Sequence, residues 1–114
     1  LLGDQYAGNK GCWVDFLGRP ASCHKAVALF TLSSGGPQLV CYVRRRGQPM
    51  HFEVGVVGVA DPQVWDPQLA GVNPLTRWYT ERMEEMVLLA PEQYWWVHRR
   101  WKRRPKEEGK QLGV

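Results

Sequence analysis

The sequence predicts an α/β fold in which helices pack on the faces of a mixed sheet, and three patterns support this class. Residues 38–43 form an uninterrupted apolar run, which is typical of a strand covered on both faces. Residues 51–57 alternate between apolar and polar side chains, as in a strand paired antiparallel to its predecessor. Residues 73–90 carry apolar side chains at helical spacing. A chain of 114 residues with these elements is one domain or a piece of one.

A strand at the beginning of the chain would present two polar side chains at its end. Residues 1–5 are largely apolar and finish in Asp4 and Gln5, so a short buried strand is predicted there. Ligands bind at the carboxyl ends of strands in open α/β sheets. An Asp at a strand end can equally form a turn, so the residues themselves leave both interpretations open.

The next segments are predicted to be a strand and an apolar helix. Residues 12–17 have the composition of a strand, and residues 18–20 are expected to break it, with Arg19 either contacting an anion or facing solvent. Ser22 suits the N-cap of a helix over residues 23–34, because its hydroxyl oxygen can accept a hydrogen bond from a free backbone N–H. The Gly-Gly-Pro sequence that follows supplies a left-handed residue and then a stop.

Three consecutive arginines follow the apolar strand at residues 38–43. A charge run at a strand exit is usually a solvated turn. Alternatively, Arg44, Arg45 and Arg46 hold a phosphate or a carboxylate at the ligand-binding edge of the sheet. His51, which opens the next strand, is expected to face solvent.

The second half of the chain is predicted to contain a loop and a long helix. Residues 58–72 lack a clear period, and Trp65 is expected to anchor this loop to the core. Asn73, followed by Pro, suits the start of the helix. The apolar stripe of this helix is expected to be core and comprises Leu75, Trp78, Tyr79, Met83, Met86, Val87 and Ala90. Pro91 ends the helix, and residues 91–93 are expected to open a new short helix that carries residues 94–101.

The C-terminal stretch is rich in both tryptophan and cationic side chains. Residues 98–110 contain seven Lys or Arg and two Glu, so the net charge of +4 belongs to this region. The rings can pack on the protein while the cations face an anion. Alternatively, the rings can stack on bases or lie at a lipid headgroup layer.

Several function classes are disfavoured by what the chain contains. Cys12, Cys23 and Cys41 show no C-x-x-C spacing, so they are expected to be reduced, buried side chains rather than a disulfide framework or a zinc site. No run of 18 apolar residues is present. None of the three histidines has Asp or Glu five residues later, and neither a phosphate loop nor metal-ligand spacing occurs. The sequence therefore contains no complete active site of its own.

Three blocks of the chain nevertheless resemble one enzyme family. Residues 90–105, Ala-Pro-Glu-Gln-Tyr-Trp-Trp-Val-His-Arg-Arg-Trp-Lys-Arg-Arg-Pro, resemble the C-terminal signature of the bacterial lipid A biosynthesis acyltransferases, the lauroyl and myristoyl transferases. Residues 2–21 resemble the family's Asp-Gln, Gly and Phe-Gly-Arg-Pro-Ala block, and residues 39–45 its following strand. Lys25 departs from the family, which commonly has Gly there. The family's catalytic His-x₄-Asp/Glu motif and its membrane anchor lie N-terminal to the Asp-Gln block, and this chain contains neither.

The resemblance implies a glycerolipid-acyltransferase-like fold with a mixed sheet. Residues 1–106 are then expected to be the C-terminal portion of a single acyltransferase domain, inactive alone, and residues 107–114 a flexible basic tail. The whole enzyme would transfer a fatty acyl chain from acyl-acyl carrier protein to a phosphorylated lipid A precursor. Its histidine, outside this chain, would deprotonate the acceptor hydroxyl. The expected location is the cytoplasmic face of the bacterial inner membrane, with this segment peripheral.

The resemblance also implies where substrate is bound. No catalytic residue, metal ligand or cofactor site is expected in this chain, and the expected partners include an anionic membrane surface but no nucleic acid. The substrate-binding candidates are Asp4, Gln5, Arg19, Arg44, Arg45, His98, Arg99 and Arg100. The last three either bind substrate or seal the fold. The alternative function is a non-catalytic module that binds anionic lipid or nucleic acid through the Trp- and Arg-rich stretch.

Overall fold

The structure, a computed structural model, describes residues 1–103 and contains four strands and two helices in these residues. Three short 3₁₀ turns lie at Gly8–Lys10, Pro67–Leu69 and Pro91–Gln93. The main elements are β1 (Cys12–Phe16), β2 (Arg19–Cys23), α1 (Ala26–Ser34), β3 (Gln38–Arg45), β4 (Phe52–Ala60) and α2 (Val72–Leu89). The α/β class predicted from the sequence is confirmed.

The four strands form two antiparallel hairpins rather than the single mixed sheet that was expected. Strand β1 pairs with β2, and β3 pairs with β4. Leu17 and Gly18 join β1 to β2 with φ values of 51° and 80°. Left-handed conformations at both positions match the twist of a two-residue hairpin, so β1 pairs with the strand that follows it directly. Residues 18–20 therefore turn the chain and begin a new strand instead of ending regular structure.

Helix α2 supplies the centre of the core. Its predicted stripe is confirmed, because Leu75, Tyr79, Met83 and Val87 are buried. These side chains pack against β1, β2 and β3 on one side, and against the small α1 residue Ala28 through Leu75. Neither helix of the described residues is long and apolar enough to cross a membrane.

The segments before α1 differ from their predictions. Residues 1–5 form no strand, and the side chains of Leu1 and Leu2 are 87% and 79% exposed, since no strand in residues 1–103 pairs with them. Ser22 is buried in β2, where its hydroxyl donates a hydrogen bond to the Gly8 carbonyl at 2.6 Å, so it caps no helix. Helix α1 begins at Ala26 and ends, as predicted, at the left-handed Gly35.

The β3–β4 hairpin is covered on one face only. Leu39 and Val43 are 51% and 64% exposed, because α2 packs on the opposite face of β3. This contradicts the prediction that the strand is covered on both faces. Cys41 shares the open face and is exposed, unlike the other two cysteines. His51 is exposed, as expected.

Three further predictions in the second half are corrected. The side chain of Trp65 is 78% exposed and does not anchor its loop to the core. The loop is held instead by backbone hydrogen bonds to the carbonyl of Asp61. The N-cap of α2 is Gly71, and Asn73 instead accepts a hydrogen bond from the thiol of Cys12 at 3.2 Å. After the turn at Pro91–Gln93 the chain forms bends and turns rather than a helix. The predicted tail at residues 107–114 lies outside the described residues.

Candidate functional site

The residues that follow α2 form a strap, defined here as residues 93–101, that crosses the two hairpins and the first segment. Pro91 cannot continue a helix, and Ala90 leaves helical geometry at φ −152°. Beyond the 3₁₀ turn the backbone is extended at Tyr94, so the following side chains reach several partners far away in sequence. These contacts decide where most of the candidate site residues lie.

Gln93 fastens the strap to the end of β3. The backbone N–H of Arg45 donates to Gln93 Oε1 at 2.7 Å, and Gln93 Nε2 donates to the Arg45 carbonyl at 3.1 Å. The side-chain amide of Gln93 thereby bonds both the N–H and the carbonyl of Arg45. On an edge strand these two backbone groups would otherwise be hydrogen-bonded only by solvent. The clamp fixes the backbone from which the exposed Arg45 side chain projects.

Tyr94 and His98 fasten the strap to the first segment. The Tyr94 hydroxyl donates to the Asp4 carbonyl at 3.4 Å, and the backbone N–H of Tyr6 donates to His98 Nε2 at 2.9 Å. Burial raises the pKa of the Tyr94 phenol, and the Asp4 carboxylate raises it further. The phenol therefore stays neutral and keeps its proton for this bond. Because the His98 Nε2 accepts, its imidazole has the tautomer with the proton on Nδ1 when neutral.

Arg100 is the most deeply placed of the predicted site residues. It is 1% exposed, and its guanidinium donates to the Ser22 carbonyl at 2.8 Å and to Cys23 Sγ at 3.1 Å. The same group lies 5.4 Å from the centre of the Phe16 ring. A buried guanidinium needs partners for its donors, and Nη1 and Nη2 have them here, whereas the buried Nε has none among residues 1–103. The two bonds hold the strap against β2. Arg99, next to it, is exposed.

Arg19 lies beside the last residue of the strap. The Trp101 indole N–H is shared between the carbonyls of Phe16 at 3.2 Å and Arg19 at 3.3 Å, and its ring stacks on Phe16. The exposed Arg19 guanidinium stands 5.3 Å from the centre of the Trp101 ring. This is cation–π geometry, which orients the guanidinium while leaving its donors open to solvent.

Arg44 faces the opposite side of β3 from Arg45 and is paired. Its Nε donates to Glu53 at 2.5 Å, and its Nη1 donates to the Leu89 carbonyl at 3.2 Å. The hydroxyl of Tyr42 donates to the same Glu53 oxygen at 3.1 Å. The hydrogen bond from Arg44 lowers the pKa of Glu53, and the same bond raises the pKa of Arg44. Arg44 therefore reaches the site with two donor groups, Nε and Nη1, already engaged.

An apolar groove of about 450 Å³ runs along β3. Its floor includes three apolar side chains of α2, Met83, Met86 and Val87. Asp4 lines it from the first segment, and Arg44 lines it at the C-terminal end of β3. An elongated apolar space with charged groups at its margins suits an amphipathic ligand rather than a small polar one.

The structure thus separates the predicted site residues into two groups. Asp4 and Arg44 line the groove, and Arg45 is clamped at its end by Gln93, which also lines it. Gln5 is half-buried beside Asp4. The remaining candidates belong to the strap or to its contacts with the β1–β2 hairpin, and they are Arg19, His98, Arg99 and Arg100.

Sequence reasoning missed three polar groups of this site: Gln93, Tyr42 and Glu53. Glu53 lies directly opposite Arg44 in the antiparallel register of the hairpin. The length of the turn sets this register, so the Arg44–Glu53 pair could have been predicted from the sequence. No comparable local signal marks Gln93, whose partner is 48 residues away. Within residues 1–103, no group of three or more His, Cys, Asp or Glu side chains is placed to hold a metal ion.

Comparison with known proteins now assigns this arrangement to a family. The family model described as bacterial lipid A biosynthesis acyltransferase matches residues 1–103, which is most of the chain. The chain is also similar to the lipid A biosynthesis lauroyltransferase of Escherichia coli (strain K12), with 38% identity over 45 residues. The aligned part covers 40% of this chain and 15% of that protein. The matched model spans the first segment, both hairpins and the strap that joins them, and on this basis the chain belongs to the bacterial lipid A biosynthesis acyltransferases.

Proposed function

We propose that the chain is the C-terminal part of an enzyme that transfers a fatty acyl chain from acyl-acyl carrier protein to a hydroxyl group of a phosphorylated lipid A precursor. Family membership supports acyl transfer in lipid A biosynthesis. The observation that supports the role of this part is the groove along β3, which joins an apolar floor to the cation Arg44 at one end, next to Arg45. The enzyme works at the cytoplasmic face of the inner membrane, where both substrates meet.

The groove has dimensions and a lining that suit a fatty acyl chain. It follows β3 from Gln38 to Arg44, and six strand steps of ~3.3 Å give a length of roughly 20 Å. Met83 and Met86 lie on its floor, and thioether side chains adapt to flexible apolar ligands. Burying methylene groups on this floor supplies binding energy of about 0.8 kcal/mol each.

The cationic end of the groove suits the phosphate of the acceptor. Arg45 makes no ion pair with a described residue, whereas Arg44 is held by Glu53. A guanidinium can donate two parallel hydrogen bonds to a phosphate. Because Gln93 fixes the backbone of Arg45, less conformational freedom is lost when its side chain binds. Asp4 and Gln5 complete the polar margin, while His98 and Arg100 position the strap that carries Gln93.

The proton of the acceptor hydroxyl has to be removed by a group that this chain does not contribute. A histidine paired with a carboxylate performs such general-base catalysis, and none of His24, His51 and His98 has an acidic residue at the required spacing. In this proposal, the 114-residue chain contributes part of the binding site for each substrate and is inactive alone.

Acyl transfer by the gene product that contains this chain tests the function. Radiolabelled acyl-acyl carrier protein and a phosphorylated lipid A precursor should yield labelled lipid, and the 114-residue chain alone should yield none. Arg45→Ala should raise KM for the phosphorylated acceptor about tenfold, since a charge-assisted hydrogen bond is lost. The exposed Arg77→Ala on α2 is the matched control and should leave KM unchanged. Absence of transfer to any lipid A precursor, whatever the acyl donor, would overturn the proposal.

Cys41 provides a separate test of the groove. It lines the groove and is exposed, whereas Cys12 and Cys23 are buried. A lauroyl-acyl carrier protein should therefore slow the reaction of Cys41 with a thiol reagent, and an acetyl-acyl carrier protein should not. Equal rates with the long and the short acyl group would show that acyl chains bind elsewhere.

A further inference from the structure

The turn between β3 and β4 presents apolar side chains to solvent in a fixed conformation. Met50 is 83% exposed and Phe52 is 56% exposed. The turn is closed by a hydrogen bond from the Arg46 N–H to the His51 carbonyl at 2.9 Å, and by one from the His51 N–H to the Gln48 carbonyl. Met50 has φ 64°, an unusual conformation for a residue with a side chain. Backbone hydrogen bonds therefore close the tip of the hairpin, residues 45–52, while its apolar side chains lie outside the core.

The apolar surface continues from the tip onto the open face of the hairpin. Arg45 pairs with Phe52 and Val43 pairs with Val54, so these four side chains share one face of the two strands. Val43 and Val54 are 64% and 73% exposed. Cations at the end of an apolar face match the boundary of a bilayer, where hydrocarbon meets anionic headgroups.

Charges around the tip favour an anionic partner. Arg44, Arg45 and Arg46 are consecutive, and the facing carboxylate of Glu53 neutralises only Arg44. Glu92, on the neighbouring turn, is the other acidic group whose charge acts on Arg44. Arg45 and Arg46 are both exposed and make no ion pair with a described residue. The tip therefore keeps a net positive charge beside its apolar side chains.

The strap adds exposed tryptophan rings within three residues of Gln93, its point of contact with this hairpin. Gln93 binds the backbone of Arg45, and Arg44 donates to the carbonyl of Leu89, so the two segments adjoin. Within the strap, Trp95 and Trp96 are 65% and 49% exposed. Indole rings prefer the interface between hydrocarbon and water.

We propose that the hairpin tip, with the exposed tryptophans of the strap, docks this domain on an anionic phospholipid bilayer. Met50 and Phe52 enter the boundary between headgroups and acyl chains, and Arg46 binds lipid phosphates. Arg46, Met50 and Phe52 do not line the groove along β3, so this attachment can be tested without changing the site proposed for acyl transfer.

A nucleic acid is the less suitable partner for the same surface. Single-stranded binding relies on aromatic faces that are free to stack on bases. Here the Trp95 ring stacks on His98 and the Trp96 ring contacts Tyr94 edge-on, while the tip itself offers the flexible Met50 and a single aromatic ring. Aliphatic side chains gain more from hydrocarbon than from bases.

Flotation of the 114-residue chain with vesicles tests the proposal. Vesicles of equal parts phosphatidylcholine and phosphatidylglycerol should recover the chain, and pure phosphatidylcholine should recover much less. Arg46→Gln should weaken partitioning about fivefold, the effect of one cation at an anionic surface. Arg77→Gln, an exposed cation on α2, is its matched control and should change partitioning less than twofold.

The apolar contribution is tested with a second matched pair. Met50→Ser with Phe52→Ser should abolish the blue shift of tryptophan fluorescence on anionic vesicles. Val64→Ser with Trp65→Ser removes side chains of similar exposure, 62% and 78%, from another loop and should retain it. Equal recovery on both vesicle types would overturn the proposal. So would loss of binding only in the Val64 and Trp65 variant, or tighter binding to a single-stranded oligonucleotide than to vesicles.

Discussion

The Arg100 guanidinium lies 2.8 Å from the carbonyl oxygen of Ser22, although the two residues are 78 positions apart. This contact attaches the strap to β2, the second strand of the first hairpin. It also explains why a cationic residue of the C-terminal signature lies in the core rather than at the surface. The same signature contains Arg99, which is exposed.

Replacing Arg100 should therefore affect stability far more than replacing Arg99. In Arg100→Ala, the Ser22 carbonyl keeps the Ala7 N–H but loses the Arg100 donor, Cys23 Sγ loses its donor from Arg100, and a cavity forms beside Phe16. We expect the free energy of unfolding to fall by about 3 kcal/mol, from two hydrogen bonds made by a charged group. Arg99→Ala should stay within about 0.5 kcal/mol of the wild type. Urea unfolding measures both, and equal losses would show that Arg100 is not a fold-sealing residue.

Removing the Gln93 clamp should loosen the end of β3. Gln93→Ala leaves the Arg45 backbone without its two side-chain partners, and about 1 kcal/mol of stability should be lost, since the net value of such hydrogen bonds is small near solvent. The specific readout is hydrogen exchange of the Arg45 amide, which should become much faster. Gln48→Ala, in the exposed turn, is the control and should leave that amide protected.

The Arg44–Glu53 pair should make stability depend on acid pH. The pKa of Glu53 is lower in the folded protein than its ordinary value of 4.5, so its contribution is present above that value. The contribution is lost as the pH falls through the depressed pKa. The wild type should therefore melt at a higher temperature than Glu53→Gln near neutral pH, and the difference should vanish in acid. Glu81→Gln is the control, and an acid-independent difference would contradict this role of the ion pair.

Tyr79 should give the opposite, alkaline dependence. Its hydroxyl donates to the His24 carbonyl at 2.7 Å, and burial raises the pKa of this phenol well above 10. Its contribution is complete below the unfolded pKa of about 10 and decreases as the pH rises beyond it. Tyr79→Phe should cost about 1 kcal/mol at neutral pH and weaken the alkaline loss of stability. Urea unfolding across the alkaline range measures this, with Tyr6→Phe as the control.

Local patterns were sufficient for the elements whose partners are near in sequence. The α2 stripe, the stop of α1 at Gly35 and the antiparallel pairing of β4 with β3 all follow from side-chain period or turn chemistry. The predicted strand at residues 1–5 and the Ser22 N-cap were wrong, because each depends on which backbone groups find a partner across the fold. An N-cap residue and a buried strand serine have the same local composition.

The sequence by itself determined the α/β class, the helix that organises the core, and the resemblance that the family match confirms. It also identified residues 90–105, which contain the strap, as a block that resembles the family's C-terminal signature. Only the tertiary structure decided what each residue of the strap does, because its partners lie far away along the chain. Burial and long-range hydrogen bonds place Arg100 in the core, hold Gln93 on the backbone of Arg45, and leave Trp95 and Trp96 at the surface.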